Sequence, residues 1–206
     1  MTYIRWFFFL LFWAVFASFL HYTLPQNDVV RVIGTYERRI DFGSNSIFWA
    51  QPDSGAALNN TNRDVFFVQT LRSNGDEMIY RNEDTGWGWP PYFKFDTANV
   101  YAQLSDLAST ADDPVWVVVR HYGWRNKFFS IFPNVLSARV VDSPDVRIIP
   151  WMNIILLTLL AAAFWAVRTR WIRFRENRID PILERIGDWC VLTWGAISRG
   201  LFGKKS

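Results

Sequence analysis

Few residues in this chain are equipped for catalysis. It has two histidines, His21 and His121, and one cysteine, Cys190, in 206 residues. His21 ends an apolar run, where a ring at the membrane interface is its expected role. His121 lies in a strand-like segment with no sequence-adjacent partner, and Cys190 has no histidine near it. No G-x-S-x-G elbow, HExxH pattern or glycine-rich phosphate loop occurs. Carboxylates such as Asp76, Glu77, Glu83, Asp84 and Asp96 are plentiful, as in any soluble domain, and only a pair assembled in space would give them acid–base chemistry. The expectation is a protein that is not an enzyme, with no metal and no cofactor.

Binding chemistry is better supplied. The stretch "DTGWGWPPYFKFDT", residues 84–97, sets Trp87, Trp89, Tyr92 and Phe93 among two prolines and two glycines. Such rings could stack on sugars or bases, plug a small core, or sit among lipid headgroups, where Trp and Tyr accumulate. A second cluster, "RHYGWRNKFF", alternates Arg120, Arg125 and Lys127 with Tyr122 and Trp124. It could recognise an anionic group or pack cation over ring, or it is a solvated strand end with its aromatics in the core. Nucleic acid is excluded as a partner. Residues 25–147 carry twelve basic against fifteen acidic side chains, and nucleic-acid affinity rests on neutralising phosphate.

The elements that must position these residues begin with two apolar runs. Trp6 to Leu20 has no charge, and Pro25 closes its extension at Leu24; Ile148 to Val167 is bracketed by Arg147 and Arg168, with Asn153 as its strongly polar interruption. About 20 such residues cross a bilayer as a helix, so residues 6–24 and 148–167 are expected to be transmembrane. The first run could also be a cleaved signal peptide, but its apolar part is long, rich in Phe and Trp, and offers no clear small-residue cleavage pair; an uncleaved anchor is the favoured reading. Averaging two such spans with an ordinary polar domain gives a mean hydropathy near zero, as this chain has.

Orientation follows from charge. Residues 168–206 carry nine Lys/Arg against four Asp/Glu, five of the nine being Arg168, Arg170, Arg173, Arg175 and Arg178. Basic residues close to a span stay in the cytoplasm. The expected layout is a cytoplasmic N-terminus (1–5), a span (6–24), a periplasmic domain (25–147), a second span (148–167) and a cytoplasmic tail (168–206). The localisation is then the inner membrane, with both termini cytoplasmic. The five arginines are candidate contacts for anionic lipid, or an ordinary stop-transfer cluster. Asp180-Pro181 reads as the start of a helix. Ile182, Leu183, Ile186, Trp189, Cys190, Trp194, Ile197 and Leu201 fall on one face of that helix, the pattern of an interfacial or partner-contacting helix.

Between the spans the pattern predicts strands at 29–42, 65–72, 77–83, 115–122 and 135–142, a loop at 43–64, and a helix over 96–110 capped by Asp96 or Thr97. Gly34 is expected at a bulge, and Asn74-Gly75 at a tight hairpin turn. Asn59-Asn60-Thr61 matches a glycosylation sequon that is common by chance. The fold class is thus a membrane protein with two transmembrane helices flanking an α+β, mostly antiparallel β domain. Its order, β-β-β-α-β-β, matches an OB-like small barrel.

With the two spans, the aromatic loop and "VWVVVRHYGWRNKFFSIFPNV" together, the chain resembles a family of small alphaproteobacterial inner-membrane proteins classed as a domain of unknown function. The resemblance implies an inner-membrane protein and transfers no catalytic residues. Two functions are open. One is a non-enzymatic accessory or assembly subunit of a membrane complex, with the bilayer and another membrane protein as partners. The other is a periplasmic module that binds or senses an envelope glycan or lipid headgroup.

Overall fold

The computed structural model describes residues 2–41, 62–183, 185–187 and 189. The chain divides into two compact units, Met1–Pro150 and Trp151–Ser206.

In the first unit, helix α1 (Thr2–Thr23) leads into five strands, β1 (Gln26–Asp41), β2 (Asn62–Arg72), β3 (Glu77–Asn82), β4 (Trp116–Tyr122) and β5 (Asn134–Val141); helix α2 (Thr97–Asp106) stands between β3 and β4. The strands close into a barrel in the order β1-β2-β3-β5-β4. Four of the five seams are antiparallel, and β3 meets β5 in parallel at Arg81 and Asn134.

Local sequence explains much of this. The β2–β3 turn is closed by Gly75 N–H donating to the Arg72 carbonyl, with Gly75 at φ +83, a conformation glycine adopts without steric cost. The expected segment 29–42, readable as one strand or two, forms a single strand over its described residues 29–41, with a register slip between Val32 and Gly34. That slip allows β1 to pair with β4 along Gln26–Arg31 and with β2 from Val30 onward. Val30, Val32, Val68, Tyr80, Val117, Val119 and Val135 fill the interior, and α2 closes it with Val100 and Leu104, one turn apart on the same helix face.

Several bounds differ from the sequence expectation. Helix α2 is shorter, and its N-terminus is capped from outside. Asp96 makes no side-chain cap bond, while the Asp84 carboxylate accepts from both Thr97 N–H (3.0 Å) and Thr97 Oγ1 (2.7 Å). In the second unit, helix α3 (Trp151–Phe174) begins after Pro150, not at Ile148, because a residue preceding proline is pushed out of the helical region. It runs well past Val167 and passes through a π-helical turn, Arg175–Ile179, into further helix. Asp180 is itself helical (φ −59, ψ −43), so it caps nothing; its carboxylate pairs with Arg175 at 3.4 Å. The sequon, Cys190 and the tail positions beyond it lie outside the described residues, as do Phe42 and residues 43–61 of the expected loop.

Candidate functional site

The last turn of any helix leaves carbonyls without intrahelical partners. At the end of α1, the barrel supplies the donors. Gln26 Nε2 donates to the His21 carbonyl (3.0 Å), Gly123 N–H to that of Tyr22 (2.9 Å), and Tyr92 O–H to that of Thr23. The groups come from β1, from the β4–β5 loop and from the aromatic loop. Pro25 stops the helix, having no N–H to continue it. Trp124 Nε1 donates to His21 Nδ1 at 2.9 Å; an indole N–H only donates, so this bond requires the His21 tautomer with Nδ1 unprotonated. The Tyr22 ring meets Trp124 and Tyr122 edge-on, at 5.3 and 6.2 Å between centroids. Gly123 sits at φ +94, where a Cβ would lie 3.5 Å from Pro133 and 3.6 Å from the Tyr22 ring. Those are ordinary contact distances, so the backbone angle, not a lack of space, is what calls for glycine here.

The aromatic loop is closed at its base. Thr85 N–H and Gly86 N–H donate to the Lys94 carbonyl, and Lys94 N–H donates to Thr85 Oγ1. The Lys94 side chain runs inward, its amine donating to Asn82 Oδ1 and to the Val135 carbonyl (2.8 Å). Burial pulls the Lys94 amine down to about 8, against the partly offsetting charges of Asp84, Asp96 and Glu83. Beside it lie the buried Arg81–Glu83 pair (3.1 Å) and Asn134, whose amide clips the Glu83 backbone at both ends.

Above this base, Trp87 is 84% exposed and Trp89 65%, and Phe93 and Phe95 are also exposed. The core reading therefore fails for Trp87, Trp89 and Phe93. Tyr92 is half-buried, its ring tilted by 30° against Tyr122 at 5.1 Å. Trp87 packs against Phe93 and Phe95, and Trp89 lies almost parallel to Phe19 of α1 at 5.7 Å. Phe93 holds φ +51, a strained conformation for a bulky residue.

Four of the eight candidate residues thus converge on the end of α1: Trp89, Tyr92, Tyr122 and Trp124. Trp87 and Phe93 continue the patch at the loop tip. Arg120 is half-buried on β4 and lies near Tyr92. Arg125 does not join them. It donates to the Asn126 and Ile131 carbonyls and stands over the Phe132 ring at 4.3 Å, within its own loop.

Sequence reasoning missed a second cluster. Asp28 on β1 accepts from Tyr80 O–H (2.6 Å), Arg72 (2.8 Å) and His121 Nε2 (3.2 Å). Burial alone would raise the Asp28 carboxyl, but the bonds from His121, Tyr80 and Arg72 together outweigh it and hold the group well below the usual carboxylate range. His121 Nδ1 is buried without a hydrogen-bond partner among the described residues. His121 is only 3% exposed and Tyr80 is fully buried, while the Asp28 and Arg72 side chains remain partly exposed. The available signal was Asp28 itself, a carboxylate set directly before Val29 and Val30 at the head of β1.

In the second unit all five candidate arginines are exposed. Arg170 and Arg173 line a groove of about 500 Å³ with Trp165, Ala166 and Thr169.

Residues 1–175 match the family described as "Protein of unknown function (DUF1523)". The chain belongs to the DUF1523 family. An uncharacterised protein of Haemophilus influenzae is 34% identical over 161 residues, which cover 77% of this chain and 86% of the relative. No solved structure matches. The DUF1523 region takes in α1, the whole barrel and α3, and so contains the junction; Arg178 and the tail fall beyond it.

Proposed function

We propose that this DUF1523 chain is a two-span inner-membrane protein, both termini cytoplasmic, that holds an OB-type barrel at the periplasmic membrane surface as a non-enzymatic accessory or assembly subunit of a membrane complex. The observation that carries this reading is the junction. The barrel caps the end of α1 and packs aromatic rings on its last two turns, so it is built onto the helix. A rigidly presented domain suits docking and alignment of a partner better than capture of a free ligand.

Other features support the parts. Two helices are long and apolar enough to cross a membrane. Helix α1 is apolar on every side from Trp6 to Leu20, as a lipid-facing helix is. Within α3 the Thr158 hydroxyl donates to the Ile154 carbonyl at 2.7 Å, which removes a polar cost in hydrocarbon. The strand order with parallel β3 and β5, and a helix between β3 and β4, supports the OB-type assignment.

The test is purification of the tagged chain from its native membrane in mild detergent, with quantitative mass spectrometry, repeated with residues after Asp180 removed. The expected result is a stoichiometric partner with the full chain that is lost from the truncated one. A chain that purifies alone in both forms would overturn the accessory role. Enzymatic reporters fused at Asp112 and at Ser206 check the topology, which predicts opposite sides of the membrane.

A further inference from the structure

We propose that residues 86–95 form a wedge inserted into the bilayer, with Trp87, Trp89, Phe93 and Phe95 at the boundary between headgroups and acyl chains of the leaflet where α1 emerges. The inference rests on the reading that α1 spans the membrane.

Depth follows from geometry. Helix α1 has 22 residues, about 33 Å at 1.5 Å per residue, against a hydrocarbon core of about 30 Å. Nearly the whole helix is needed to cross. Phe19 lies four residues before the helix end at Thr23, about 6 Å back along the axis, which puts it at the hydrocarbon boundary. Trp89 stacks on the flank of Phe19 at 5.7 Å and 12° between planes. A ring parallel to Phe19 and in contact with it shares its depth, so the loop reaches down beside the span.

Composition agrees with that depth. From Gly86 to Phe93 there is no charged residue. The loop's one cation, Lys94, is withdrawn into the barrel on Asn82 and Val135, and Asp84 is occupied at the start of α2. An exposed patch of Trp and Phe at the end of an apolar helix is the composition of an interfacial aromatic belt. The closed base at Thr85 and Lys94, and the strained Phe93 backbone, hold the rings outward. A soluble loop with these rings would gain by turning them in. The occupant is lipid, because the patch is continuous with the apolar flank of α1.

The experiment uses the full chain with its only cysteine removed (Cys190→Ser) and single cysteines introduced at Trp87, Phe95, Phe9 or Asp112. Each is labelled with an environment-sensitive fluorophore and reconstituted in phosphatidylcholine–phosphatidylglycerol vesicles. Quenching by lipids brominated near the headgroup is compared with quenching by aqueous iodide. Phe9, mid-way along α1, tests the span. Asp112, before the start of β4 and so at its far end from the junction, is the aqueous reference. The expected result is several-fold stronger lipid quenching at Trp87 and Phe95 than at Asp112, with iodide quenching reduced to match. Shielding at Phe9 combined with water-exposed labels at both loop positions overturns the wedge and leaves the span intact. Labels shielded from iodide yet unquenched by lipid would mean a second copy of the chain covers the loop, and would also overturn it. A label at Phe9 open to iodide overturns the span, and the wedge falls with it. Two loop positions guard against local disturbance by either label.

Discussion

At the scale of single residues, two charged groups of the barrel, the buried Lys94 and the half-buried Asp28, each set a pH response. Lys94 titrates at about 8 in the fold and about 10.4 when unfolded. Between those values the unfolded chain holds the extra proton, so stability rises with pH. The gain is up to about 3 kcal/mol. Tyr80 and Tyr92 work in the other direction. Burial raises both hydroxyls above the ordinary tyrosine value, so their contribution is complete below about pH 10 and is lost above it. Chemical denaturation of the purified chain is therefore expected to show stability climbing from pH 8 to a maximum near pH 10. Lys94→Met should abolish the climb; a flat profile in the unmodified chain would contradict the burial of the amine. Asp28, held low, contributes stability that is present above about pH 4 and lost as pH falls below it. Asp28→Asn leaves three donors short of a charged acceptor. It should cost about 2 kcal/mol at neutral pH and remove the acid-side loss.

At the scale of elements, α2 acts as the plug of the barrel and Gly123 as the seat of α1. Leu104→Ala should destabilise by about 2–5 kcal/mol, because Leu104 is fully buried among strand valines. Gly123→Ala should cost about 1–3 kcal/mol from backbone strain at φ +94. It should also loosen the helix end, read as faster amide exchange at Gly123 and Tyr22. Exchange unchanged at those two amides would show that the helix is held elsewhere. Most of the elements were legible in the sequence. The valine-rich β4, the Asn74-Gly75 turn and the apolar spacing of α2 carry local signals strong enough to survive tertiary context. The cap at Asp84 was not legible, because it arrives from thirteen residues upstream. The supposed helix start at Asp180-Pro181 failed for a related reason: a cap signature has meaning only where a helix is not already running. Tyr92 and Trp124 were picked out as candidates, but their common partner, the end of α1, lies about 70 and 100 residues away along the chain. No local pattern encodes such a pairing. Asp28 and His121 were separated in the same way, at 93 residues.

At the scale of the whole molecule, each unit carries its own exposed feature. The rings of the aromatic loop stand out beside the end of α1 in the first, and the arginines at the end of α3 and just beyond are exposed in the second. Those arginines are not equivalent. Arg170 and Arg173 share a groove with Trp165 and Thr169, whereas Arg175 is engaged by Asp180. Changing Arg170 and Arg173 together to Gln should lower phosphatidylglycerol retention on purification several-fold more than the same change at Arg168 and Arg178, although both remove two charges. Equal losses would mean that surface charge alone governs lipid affinity, at about 1 kcal/mol per basic residue.

Between the last helical residue of α1 and the first residue of β1 stand only Leu24 and Pro25, and donors from three parts of the barrel cross that gap. There is no hinge. In the proposed two-span arrangement, an apolar helix would meet a bilayer thicker or thinner than itself mainly by changing its tilt, and this junction would carry that tilt into the barrel. The direction in which the barrel faces would then follow bilayer thickness, with no ligand bound to it.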